Sequence, residues 1–314
     1  MQKKNVAVIG AGHLGKFHAE KYSQMKNVNL IAVVDMDKKT ATAIANANNT
    51  KPYTDYREII EKVDAVSISV PTSYHYDIAK EFIRAGKDVL VEKPITVTVK
   101  EADELVRLAK KNGVVFQVGH IERFNPSFVA AKRVIKDPKF IESHRLSFFK
   151  GRGGDVSVIL DLMIHDIDII LSVVDSKIKR VSASGVPILT KNIDIANARI
   201  EFENGCVANI TASRASKEEL RKMRFFQHDK YISVDFKKQI VNVLKKTDKV
   251  ENGIPVIEEQ PLEVEKKDAL YEELSNFINC TFDRKAPLVS GKAGRDALDV
   301  ATKVINHIKK TLHS

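Results

Sequence analysis

The sequence predicts an α/β protein: an N-terminal doubly wound parallel sheet, then a C-terminal α+β domain with an open, mainly antiparallel sheet. Two observations carry this. Up to residue 122, short apolar runs without a polar face alternate with helical segments, as parallel strands covered on both sides require. Past Asn125-Pro126, strand-like segments follow one another across short turns, as antiparallel strands do. The expected domains are therefore 1–122 and 123–314, with the last helix free to return onto the first domain.

The first strand is Val6-Ala7-Val8-Ile9, and it runs into Gly10-Ala11-Gly12-His13-Leu14-Gly15, with a helix beginning near Leu14. Three glycines in a strand–turn–helix suit a dinucleotide site. Gly10 makes the sharp turn, Gly12 lets the backbone approach a pyrophosphate, and Gly15 lets helix and strand pack closely. The helix N-terminus then offers free N–H groups to the phosphates. The next strand, 29–35, ends in Asp35, at the offset where a carboxylate meets the adenosine ribose. That carboxylate repels a 2′-phosphate, so NAD is expected over NADP.

The remaining elements of this half follow from their signals. An alanine-rich helix spans 37–48 with Asp37 as its cap, and a short helix covers 56–60. A strand over 65–70 stops at Pro71, and a helix over 73–85 stops at Gly86. A strand over 88–91, a helix over 99–111 ending at Gly113 and a strand over 114–118 complete it. In the second half, a helix covers 126–135, a strand 140–149 and a helical segment 158–173. Strands are expected at 181–188, 196–202, 206–213, 224–227, 231–236 and 239–244, with Asn204-Gly205 as a hairpin turn. Helices over 269–282 and 294–310 close the chain. A sheet with one helix-covered face leaves the other needing a partner, which predicts a homodimer or homotetramer through this sheet.

The formal charge of +10 does not argue for nucleic acid, because the basic residues are dispersed among acids and no tryptophan accompanies them. No apolar run reaches the length of a membrane span, and no apolar signal segment precedes the first strand. Cys206 and Cys280 form neither a disulfide framework nor a metal-ligand spacing, so a cytoplasmic protein without a bound metal is expected.

Ligands of open parallel sheets lie beyond the carboxyl ends of the strands. Candidates there are Pro71-Thr72-Ser73, with Tyr74 and His75 just inside the next helix; Glu92-Lys93-Pro94; and His120 followed by Arg123, Phe124 and Asn125. A lysine beside a cationic ring exchanges protons readily, though from position alone Lys93 reads equally as a surface lysine. In the second half Asp161 and His165 lie four residues apart on an otherwise apolar helix, and an imidazole oriented by a carboxylate is the equipment of a general base. A core histidine and a metal ligand are the rival readings.

Taken together, the glycine turn with Asp35, Glu92-Lys93-Pro94, Asp161-x-x-x-His165 and the tail Pro287-Leu288-Val289-Ser290-Gly291 resemble the glucose–fructose oxidoreductase and inositol dehydrogenase (Gfo/Idh/MocA) family over essentially the whole chain. The resemblance implies a Rossmann domain and an NAD-dependent dehydrogenase. It implies His165 as the base that takes a hydroxyl proton while hydride leaves for the nicotinamide, Asp161 as the residue that positions the substrate or the imidazole, and Lys93 on the reacting oxygen. It places Gly10, Gly12, His13, Leu14, Gly15, Asp35, Pro71, Thr72, His75 and Glu92 around the cofactor. Within the family, residues 118–126 and 161–166 are similar to members that oxidise the 3-hydroxyl of UDP-N-acetylglucosamine ahead of transamination for lipid A. Arg123 and Asn125 would then meet the sugar, and Lys150 or Arg152 the diphosphate. A family member acting on a free sugar or polyol, and a non-catalytic NAD sensor, are the alternatives.

Overall fold

The computed structural model describes residues 2–149, 151 and 156–312. The chain divides into two compact units. The first takes residues 1–121 and 268–296, the second 122–267 and 297–314.

In the first unit the order is β1 (Lys4–Ile9), α1 (Gly15–Gln24), β2 (Val28–Val34), α2 (Lys38–Ala47), β3 (Lys51–Tyr53), β4 (Ala65–Ile68), α3 (His75–Arg84), β5 (Asp88–Glu92), α4 (Val99–Asn112) and β6 (Phe116–Gly119). The strands form one six-stranded sheet in the order β3-β2-β1-β4-β5-β6, every pair parallel. The order reverses beside β1, the topological switch point at which such sheets bind ligands. Helix boundaries follow their caps. Asp37 accepts from Lys39 N at the start of α2, Thr98 and Glu101 form a reciprocal capping box at α4, and Gly113 ends α4 in the left-handed region at φ 64°. The short strand β3, with Pro52 at its centre, carried no sequence signal and pairs only at the sheet edge.

The helix α7 (Ala269–Asp283) corrects the domain division, which had placed it in the second half. Leu274, Phe277 and Ile278 are fully buried in the same core as Val6, Val8, Tyr22 and Leu30. Burying one such side chain is worth about 1.5–3 kcal/mol. Polar ties hold it as well. Asp268 pairs with Lys21 at 2.9 Å, and Arg284 with Asp88 at 2.6 Å. The last helix α8 (Gly291–Leu312) begins in the first unit and continues in the second, starting three residues earlier than its sequence pattern suggested.

The second unit contains α5 (Pro126–Lys132), β7 (Phe140–Leu146), a π-helical turn over Ile159–Met163 that leads into α6 (Ile164–Leu171), and the strands β8 (Ile178–Val186), β9 (Ile195–Phe202), β10 (Val207–Ser213), β11 (Leu220–Phe226), β12 (Lys230–Asp235), β13 (Ile240–Glu251) and β14 (Ile254–Gln260). They form an eight-stranded sheet in the order β14-β13-β12-β11-β7-β10-β9-β8, antiparallel except for the β7–β10 pair. Gly205, at φ 85°, makes the hairpin between β9 and β10. β13 runs seven residues further than its apolar alternation, and β14 was missed, because this edge hairpin is largely exposed and leaves no period-two pattern. One face of the sheet is buried: Ile141, Ala198, Ile210 and Phe225 join Ile164, Ile167, Val300 and Val304 in one core.

Candidate functional site

At the switch point of the first unit, Gly10 turns the chain at φ +93°, and a Cβ there would sit 2.7 Å from Ser69 O. A Cβ on Gly15 would collide with the Gly10 carbonyl. Gly12 differs, since a side chain there would project into open space. That is the backbone approach a pyrophosphate needs. Asp35, at the end of β2, is fixed from both sides: Oδ2 accepts Ala11 N–H at 2.8 Å and Oδ1 accepts Asp37 N–H at 2.9 Å. Each oxygen retains capacity for a further donor.

Gly10, Gly12, Asp35 and Pro71 line a cavity of about 380 Å³, within the range of small-molecule sites. Tyr74 lines it too, and so do Tyr56 and Arg57, which sequence reasoning missed. The Arg57 guanidinium lies 4.8 Å from the Tyr56 ring centroid and pairs with Asp55 and Glu81 at 3.5 and 3.4 Å. Tyr56 and Arg57 lie in a 3-10 turn after β3 and Tyr74 in one after β4, strands that β2 and β1 separate in the sheet, so nothing in their local spacing announces a shared wall. His13 and Leu14 are exposed at the start of α1, with Leu14 as the N-cap residue.

Beyond β4, Pro71 precedes a 3-10 turn over Thr72–Tyr74. His75 opens α3. It is 1 % exposed, with Nδ1 2.9 Å from Pro94 O and Nε2 2.9 Å from Val70 O, so the ring is held between two backbone carbonyls, to one of which its N–H donates. Burial pushes its pKa below the ordinary value despite those carbonyls. Glu92, closing β5, is also buried. Burial works against its charge, yet His18 and, more weakly, Lys93 hold its pKa below the usual carboxylate range. Lys93 follows as a half-buried side chain, and its peptide bond to Pro94 is cis.

In the second unit the π-type turn carries Asp161, and His165 lies in the first turn of α6. Such π segments occur often at functional sites. Asp166, beside His165, is held by Arg145: Nε lies 3.1 Å from both carboxylate oxygens and Nη2 2.8 Å from Oδ1. Arg145 Nη1 donates to Glu122 Oε1 at 2.7 Å. All three residues are buried.

Asn125, expected on the substrate, is instead consumed by this framework. Its Nδ2 donates to Glu122 Oε2 at 3.0 Å and Phe236 O at 3.1 Å, while Oδ1 accepts from Ser127 N at 3.1 Å and Oγ at 2.7 Å, capping α5. Its hydrogen-bonding capacity is full. Arg123 is buried with Nη1 3.4 Å from Asp168 O and 3.7 Å from Asp168 Oδ1, so it too supports α6. Lys150 and Arg152 lie outside the described residues. Among the described residues, no group of three or more His, Cys, Asp or Glu could hold a metal ion, and no helix is long and apolar enough to cross a membrane.

A switch-point cavity walled by a glycine turn and an anchored acidic residue defines a dinucleotide-binding protein. Residues 4–120 match the oxidoreductase family with an NAD-binding Rossmann fold, and residues 136–230 match the Gfo/Idh/MocA C-terminal domain. The chain belongs to the Gfo/Idh/MocA family of NAD-binding oxidoreductases and is a dehydrogenase of that family. It is 36% identical over 298 residues, 95% of each chain, to UDP-N-acetylglucosamine 3-dehydrogenase of Acidithiobacillus ferrooxidans. A solved structure of that relative superimposes with a TM-score of 0.94 at 35% identity, covering 100% of both chains. It is 28% identical over 327 residues, 96% of this chain and 93% of the other, to scyllo-inositol 2-dehydrogenase (NAD(+)) of Bacillus subtilis. Levoglucosan dehydrogenase in complex with NADH shares the fold, with a TM-score of 0.88 at 18% identity over 98% of both chains.

Proposed function

We propose that the protein oxidises the 3-hydroxyl of UDP-N-acetylglucosamine with NAD. The observation that carries this reading is the 36% identity to a UDP-N-acetylglucosamine 3-dehydrogenase across 95% of both chains. The residues of the first unit fit the cofactor: Gly12 leaves room for a pyrophosphate, and Asp35 keeps acceptor capacity for a ribose. His13, Leu14, Pro71 and Thr72 complete its surroundings in this reading. Bound NAD supplies the hydride acceptor.

The chain's own residues handle the proton. His165 takes it from the substrate hydroxyl, Asp161 orients the imidazole, and the Lys93 ammonium donates a hydrogen bond to the reacting oxygen as negative charge grows there. Both cysteines are free, which agrees with a reducing cytoplasm. The half-exposed face of the eight-stranded sheet supports assembly into a homodimer or homotetramer, and the product would feed amino-sugar synthesis for lipid A.

Purified protein with NAD and UDP-N-acetylglucosamine is expected to form NADH and a 3-keto product seen by mass spectrometry. Lys93→Ala and His165→Ala are each expected to lower kcat by about 10²- to 10⁴-fold. NADH formation with scyllo-inositol or glucose but with no UDP-sugar would overturn the substrate. The match to an inositol dehydrogenase makes a free polyol the second reading. Tight NAD binding with no turnover on any of these would indicate a sensor instead.

A further inference from the structure

A side-chain chain runs beneath the Lys93 turn and has no counterpart in the roles above. His18, in the first turn of α1, is fully buried. Its Nδ1 lies 2.6 Å from Ser67 Oγ on β4, and its Nε2 lies 3.2 Å from Glu92 Oε1 at the end of β5. Glu92 Oε2 in turn accepts the Lys93 N–H at 3.2 Å. Three elements of the first unit are thus linked in series, and the last link ends on the backbone of Lys93.

The directions of these contacts are consistent. A Ser67 hydroxyl that donates to Nδ1 leaves the ring proton on Nε2, the nitrogen that lies at ion-pair distance from the carboxylate. Glu92 has nowhere else to go, since even a Cβ on Gly119 would sit 2.8 Å from its carboxyl carbon. On the other side of the turn His75 reaches the Pro94 carbonyl at 2.9 Å. The Glu92-Lys93-Pro94 segment is therefore gripped on both sides by buried histidines.

We infer that His18 is a positioning residue: by holding Glu92 it fixes the backbone from which the Lys93 ammonium extends. The inference rests on the reading of Lys93 as the residue that meets the reacting oxygen. Its physical basis is that a misplacement of about 1 Å in a reacting geometry costs on the order of 10²-fold in rate.

Two variants separate the halves of the chain. In His18→Asn the amide reaches only the position of Nδ1, keeping Ser67 and losing Glu92. In His18→Gln it reaches the position of Nε2 and restores the link to Glu92. For full-length protein, kcat, the KM for NAD and Tm are measured. In parallel, the Lys93 signal is followed by NMR in cofactor-free protein whose lysines carry ¹³C-methyl groups, assigned with Lys93→Arg.

His18→Asn is expected to lower kcat by about 10- to 100-fold, with the KM for NAD within about threefold, and to move the Lys93 signal. His18→Gln is expected to recover most of both. Unchanged kcat and an unmoved Lys93 signal in His18→Asn would overturn the inference, as would His18→Gln failing to improve on His18→Asn at equal Tm. If His18→Asn does not fold, Glu92→Gln is used, for which a lower kcat and a moved Lys93 signal are expected with no condition on the KM for NAD, and an unmoved signal there is equally fatal. The reading of Lys93 fails separately, if Lys93→Ala retains full turnover. Lost turnover in Lys93→Ala beside an unaffected His18→Asn would overturn only the positioning role.

Discussion

Asp35 Oδ2 accepts the backbone N–H of Ala11 at 2.8 Å, so the acid at the end of the second strand is locked to the glycine turn that follows the first. The carboxylate is anchored before any cofactor arrives, and ordering it on binding costs little.

Replacing Asp35 with Ser removes both the anchor and the charge. The expected result is a rise of about tenfold or more in the Kd for NAD, equivalent to about 1.4 kcal/mol, together with better use of NADP. Arg57, on the same cavity wall, then faces a 2′-phosphate site from which the repelling carboxylate has been removed. Titration of each cofactor by fluorescence checks both effects, and an unchanged NAD-to-NADP preference would remove Asp35 from the site.

The glycines separate binding from folding. Gly12→Ala places its methyl in open space, so Tm should stay within about 2 °C of the parent while NAD affinity falls. Gly15→Ala drives a methyl into the Gly10 carbonyl and should destabilise the fold itself, by about 1–3 kcal/mol. Thermal unfolding without cofactor distinguishes the two.

Arg145 neutralises two buried acids, Glu122 and Asp166, and the second lies beside His165. Arg145→Met leaves both carboxylates buried without their cation, which should cost about 3–5 kcal/mol of stability in urea unfolding. A loss below about 1 kcal/mol would mean that water reaches the pair.

The stability of the second unit should fall in acid through Asp194. Burial disfavours its charge, but the N–H groups of Ile188, Leu189 and Thr190 and the Arg214 guanidinium outweigh that and hold its pKa well below the ordinary range. A folded-state pKa below the unfolded one gives stability that is present above about pH 4 and is lost as pH falls through the lower value. The stability gap between parent and Asp194→Asn should therefore hold steady down to about pH 4 and narrow as pH drops from about 4 to 2. A gap that stays constant across that window would show that the Asp194 carboxylate is not the titrating group.

What the sequence determined by itself was local. The glycine turn with Asp35, the alternation of buried strands and helices, the caps at Asp37 and Gly113, and the hairpin at Asn204-Gly205 each arise from neighbours along the chain, whose sterics and periodicity are written in residue order. The family followed from those features together with Lys93 and His165. Tertiary structure decided which distant residues meet. It brought α7 onto β1 and α1 and set His18 of α1 between Ser67 of β4 and Glu92 of β5. It set the His75 ring between two carbonyls, and it spent Asn125 on capping α5 and Arg123 on holding α6. Partners such as His18 and Glu92, or Arg145 and Asp166, are selected by the packing of nonadjacent elements. A buried polar side chain must find its match wherever the fold places one, and spacing along the chain does not encode that choice.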